Sequence, residues 1–155
     1  MKTHTRFTSL LLTALALAVS APAAMAHSDA PHPATLKATH GGQLGVAGSY
    51  SYELVVLKDA REAADSPVVV YVTDHAGQKV ATAGATGSVT ILANKKKVLV
   101  TLLPEGDNRM RGNARYLSTP DMKVVVSITL AGKLPEQTRF APLAAAKDGH
   151  TDHTH

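Results

Sequence analysis

Imidazole is the one metal-ligating side chain that this sequence supplies in quantity. It has eight histidines, no cysteine and no tryptophan, and three of the histidines, His150, His153 and His155, crowd into the last six residues. His27, His32, His40 and His75 precede them in the chain. Neutral imidazole suits Zn(II), Cu(II) and Ni(II), and no thiolate competes for the ion. A soft Cu(I) site would want thioethers, yet beyond residue 26 only Met110 and Met122 remain. Other chemistry finds little footing. There is no G-x-S-x-G elbow and no glycine-rich loop opening a helix, and Glu105 and Asp121 stand singly in turns. The sequence predicts a binding protein and no enzyme.

Residues 1–26 read as a secretory signal. Lys2 and Arg6 give a positive start, residues 10–19 an apolar run, and Ala24-Met25-Ala26 the small-residue cleavage pattern. No later apolar run is long enough to span a bilayer. The expected location is the periplasm. Without Lys2 and Arg6 the chain carries 14 Lys and Arg against 12 Asp and Glu, too even a balance for a nucleic-acid partner. Two Phe and four Tyr are also too few to build stacking platforms. Cleavage after Ala26 would put an amine and an imidazole on one residue, His27, a chelate that suits tetragonal Cu(II). In this feature the chain resembles the small periplasmic copper-resistance carriers, which bind copper through an amino-terminal histidine brace.

These residues need a scaffold. Residues 27–39 (HSDAPHPATLKAT) read as a flexible arm and residues 141–155 as a flexible His-rich tail. Between them, residues 40–140 alternate apolar and polar positions in short runs rich in Val, Ile, Thr and Tyr. Nine strands are predicted, at 42–46, 50–58, 67–74, 79–82, 88–93, 97–103, 109–117, 122–130 and 136–140. Residues 58–65 (KDAREAAD) are helical in composition but too short to change the class. The expectation is an all-β, antiparallel, immunoglobulin-like β-sandwich, with a closed barrel as the alternative. Arg109, Arg111 and Arg115 share one parity, with Lys123 expected on the neighbouring strand. That stripe reads as a solvated outer face or as a basic docking surface.

Five segments carry a wider resemblance. They are His40-Gly41-Gly42, the run from Tyr52 to Val56 (YELVV), residues 70–77 (VYVTDHAG), residues 82–87 (TAGATG), and Gly106-Asp107-Asn108. In these the chain resembles small secreted proteobacterial β-sandwich proteins associated with copper resistance and RND-type heavy-metal efflux. It is similar, too, to the accessory domain of the periplasmic adaptor subunits of such pumps. The resemblance implies a β-sandwich and an efflux context.

Nine alternating strands would end the third and the ninth at one pole. On that count His75, with Asp74 beside it, meets the tail histidines His150, His153 and His155. His27 can be recruited from the arm, while His40 serves the turn before the first strand. The expected ligand is Cu(II) or Zn(II), held for sequestration or for delivery to an efflux system. The competing expectation is a metal-independent immunoglobulin-like module docking on an efflux or envelope partner. The exported protein is predicted to begin at His27, and its intact mass checks this. A start at Ala24, after the rival pattern Ala21-Pro22-Ala23, would abolish the amine–imidazole chelate.

Overall fold

A computed structural model describes residues 36–145, all within the unit Pro33–His155. The alternating runs form eight strands: β1 (Gln43–Ala47), β2 (Tyr50–Val56), β3 (Ser66–Asp74), β4 (Thr86–Ala93), β5 (Lys96–Pro104), β6 (Arg109–Ala114), β7 (Lys123–Thr129) and β8 (Glu136–Phe140). They make one antiparallel sheet in the order β1-β2-β3-β6-β5-β4-β7-β8. The class is all-β. No helix occurs among the described residues, and 58–65 is a series of turns closed in part by Ala64 N–H on the Arg61 carbonyl.

The sheet curls until its two edges meet, which leaves it nearly closed. At that seam Phe140 packs on Gly45, and the Ala141 N–H donates to the Gln43 side chain at 2.9 Å. Inward positions of the inner strands are mainly apolar, with Leu54, Val70, Ile91, Leu102, Val124 and Ile128 among the fully buried residues. Each such side chain contributes about 1.5–3 kcal/mol of burial. At the corner, β5 pairs with β4 over most of its length but meets β6 only at Leu103 and Pro104. Gly112 of β6 crosses β5 so closely there that a Cβ would collide with the Thr101 carbonyl.

One expected strand is missing, and the reason is where its hydrogen bonds go. Residues 79–82 form a single bridge, Thr73 with Lys79. Val80 N–H donates to Val72 O at 3.1 Å, but Thr82 N–H donates to Asp107 O at 2.9 Å. The segment leaves β3 for the β5–β6 turn, so no ladder can grow. Eight strands reverse the predicted poles. β3 and β8 run in opposite senses, so His75 and the chain leaving β8 lie at opposite ends of the sheet. The expected pole is therefore corrected: the chain leaves β8 where β1 begins, and the tail histidines themselves lie outside the described residues.

Two further expectations change. Lys123 does not neighbour the arginine stripe, because β7 lies between β4 and β8 whereas β6 lies between β3 and β5. Packing also begins before residue 40. Leu36 lies against Gly77, 3.1 Å from the position a Cβ would take there, and the chain then crosses the outer face of β2 and β3 to reach β1.

The core of residues 36–145 is built from apolar side chains on paired strands, so a thermal melt in chelator is expected to keep one cooperative transition. Gly112→Ala should lower stability by about 1–3 kcal/mol through overpacking at the corner. Calorimetry of both proteins checks this.

Candidate functional site

A lone carboxylate in an apolar strand is a strong local signal, and Glu53 is one. It sits in β2 (YSYELVV) at an outward position, yet its side chain is only 5% exposed. The lead-in to β1 covers it. Oε1 accepts the backbone N–H of His40 at 2.7 Å and of Gly42 at 3.0 Å. Oε2 accepts the Thr39 N–H at 3.0 Å, the Thr39 hydroxyl at 3.3 Å and His40 Nδ1 at 2.9 Å. Gly42 is required by space, since a Cβ there would collide with the Leu54 carbonyl.

The same contacts orient an imidazole. The His40 ring lies flat on Tyr71, with centroids 3.5 Å apart and planes 4° from parallel. Tyr71 is directly opposite Glu53 on β3, and Arg109 is opposite Tyr71 on β6. An ionised carboxylate only accepts, so Nδ1 carries the proton and donates. Nε2 is left with its lone pair and no hydrogen-bond partner among the described residues, on a side chain 40% exposed. A carboxylate on Nδ1 is the support that fixes tautomer and orientation for a metal-ligating histidine. The same geometry serves a general base, but a base needs a nucleophile on Nε2.

Burial pushes the Glu53 carboxyl up, but the hydrogen bonds outweigh it. His40 Nδ1 and the N–H groups of Gly42, Thr39 and His40 together hold its pKa below the ordinary carboxylate value. Tyr52 is the other buried titratable group on β2. Burial raises its pKa, the charge of Glu136 and then Tyr50 add to this, and the hydroxyl stays protonated.

Asp74 and His75 sit at the end of β3 and in the turn that follows it. Asp74 Oδ1 accepts the N–H of Ala76 at 2.9 Å and of Gln78 at 2.8 Å, closing the turn after β3. His75 is exposed in that turn. No group of three or more His, Asp and Glu that could hold an ion occurs among the described residues. His27, His150, His153 and His155 lie outside them. Along the arginine stripe Glu105 pairs with Arg109 and Arg111 and Asp65 with Arg115, two carboxylates for three guanidiniums.

The segments that carried the family resemblance prove to be one another's partners. His40 and Gly42 bond to Glu53, Thr82 bonds to Asp107, and the Asn108 side chain donates to the Val72 carbonyl at 3.0 Å. The Glu53–His40 pair was not among the expected ligands: a single Glu inside YSYELVV flags Glu53, but nothing in the sequence ties it to His40. Compared with protein-family models and with curated proteins, the chain matches neither a family model nor a curated protein.

Glu53→Gln is expected to cost about 2–4 kcal/mol, because an amide turns donors toward donors in a buried site. The pH dependence has a definite sign. A carboxylate with a depressed folded pKa stabilises fully above its unfolded value, near 4.5, and that stability is lost as pH falls through the lower folded value. The gap in melting temperature between wild type and Glu53→Gln should therefore narrow below pH 4.5. A gap that stays constant down to about pH 2 would show that ionisation of Glu53 is not what holds the lead-in.

Proposed function

We propose that this chain is a secreted, periplasmic metal-binding protein that holds Cu(II) or Zn(II), for sequestration or for delivery to an RND-type heavy-metal efflux system. On this reading the eight strands are an immunoglobulin-like sandwich, with β1-β2-β3-β6 facing β5-β4-β7-β8, and the scaffold presents ligands without depending on them. The observation that carries the reading is the His40–Glu53 pair, an imidazole with its Nδ1 held by a carboxylate and its Nε2 left without a protein partner. His40 takes the place that His75 held in the sequence expectation.

A second observation supports the choice of partners. Gly41 and Gly42, next to His40, line a depression of about 180 Å³ together with Pro142 and Leu143. The tail therefore continues from beside the His40 lead-in. His150 is five positions beyond Ala145, a reach of at most about 18 Å. His40 Nε2 with imidazoles of His150, His153 and His155 is a nitrogen set suited to either metal. The amine and ring of His27 remain an additional chelate if cleavage follows Ala26.

Three variants test this. His40→Asn keeps an N–H for Glu53 and removes Nε2, truncation after Gly149 removes the tail imidazoles, and His75→Ala removes the exposed turn histidine. The first two should weaken Cu(II) or Zn(II) binding by about tenfold or more, near 1.4 kcal/mol, with His75→Ala unchanged by titration calorimetry. Loss confined to His75→Ala would return the site to the other pole. Binding by none of the proteins, wild type included, would favour the metal-independent interaction module instead.

A further inference from the structure

The two broad faces of the sheet are finished differently. The outer face of β2 and β3 is crossed by the lead-in, and beside it Arg109, Arg111 and Arg115 are ion-paired with Glu105 and Asp65. The outer face of β5, β4, β7 and β8 has neither covering nor counter-charge among the described residues. Its register can be read directly. Leu92 of β4 stands between Lys97 of β5 and Lys123 of β7. One row further along, Leu99 and Arg139 occupy the two edges. Leu99 is 69% exposed and Leu92 48%. The other outward positions of these strands are Ser, Thr, Val, Gln and one more leucine, and none is a carboxylate. Lys97, Lys123 and Arg139 make no ion pair with the described residues.

The composition selects the occupant. Protein interfaces concentrate their affinity in Trp, Tyr and Arg, whereas Leu, Ser, Thr and Val are under-represented at such positions. Single-stranded nucleic acid needs aromatic rings to stack on, and this face has none. Cations interleaved with exposed aliphatic side chains on an acid-free surface fit a bilayer that carries negative headgroups. No helix among the described residues is long and apolar enough to cross a membrane, so the contact would be peripheral.

We propose that the outer face of β5, β4, β7 and β8 docks on an anionic phospholipid bilayer. Lys97, Lys123 and Arg139 meet the headgroup phosphates, and Leu92 and Leu99 seat between them at the boundary with the acyl chains. Each cation close to such a surface strengthens binding by about fivefold, and salt screens the attraction.

Co-sedimentation of the full chain with vesicles tests the proposal. Expected is binding to vesicles of phosphatidylglycerol mixed with phosphatidylcholine, none to phosphatidylcholine alone, and release by about 0.5 M salt. Lys97→Gln with Lys123→Gln should weaken binding by about tenfold or more. Arg111→Gln with Arg115→Gln, which removes the same charge from the other face, should leave it unchanged. Leu92→Ser with Leu99→Ser should weaken it further at constant charge, with a melt confirming the fold. Equal loss in the two charge pairs would reduce the effect to net charge and overturn the proposal. So would binding that survives Lys97→Gln with Lys123→Gln, or no binding to anionic vesicles. Salt-sensitive binding to polyglutamate with none to vesicles would assign the face to an acidic protein and overturn it too.

Discussion

Taking a carboxylate out of water costs several kcal/mol unless its lone pairs are fully engaged. Glu53 is buried on the outer side of β2, and five donors from residues 39–42 engage it. The exchange works in both directions. The lead-in has no ladder of its own, so its N–H groups need an acceptor, and the carboxylate needs cover. Position, burial and charge are therefore one device. It sets where β1 starts and fixes the tautomer of His40.

The course of the sheet follows from a second contact of the same kind, where backbone meets backbone too closely for a side chain. At Gly112 the sheet turns from β6 to β5, and β5 then belongs almost wholly to the β4 side. The seam between β1 and β8 is closed by Phe140 on Gly45. Because every neighbour is antiparallel, the number of strands decides which chain segment meets which pole. Losing the strand at 79–82 moves the exit of the chain from the His75 end to the end where β1 begins.

The two faces divide the work of the scaffold. One carries the lead-in, the stacked His40 and Tyr71, and the exposed ion pairs of Arg109, Arg111 and Arg115 with Glu105 and Asp65. Exposed pairs of that sort add little stability, about 0–1 kcal/mol each, but they offset most of the positive charge of that stripe. The other face keeps its cations unmatched and its leucines in water. A sheet whose cations are ion-paired on one side and unpaired on the other has a direction, and that asymmetry is available for recognition.

Much of this was determined by the sequence alone. Alternation in runs such as PVVVYVTD and KVLVTLL gave the strands, their faces and the all-β class, because side-chain period follows directly from the pleat. The wealth of imidazole and the absence of thiol bounded the chemistry in the same direct way. What alternation cannot encode is where a hydrogen bond is spent. Residues 79–82 have a strand's pattern, but Thr82 bonds to the β5–β6 turn, and only the folded chain brings that turn within reach. Likewise the sequence sets Asp74 beside His75 but does not show that its Oδ1 closes the turn after β3. Glu53 and His40 lie 13 residues apart, and no local pattern couples them. Their meeting, and with it the orientation of the imidazole, was decided by tertiary structure, because it depends on a lead-in folding back over a sheet that must already exist.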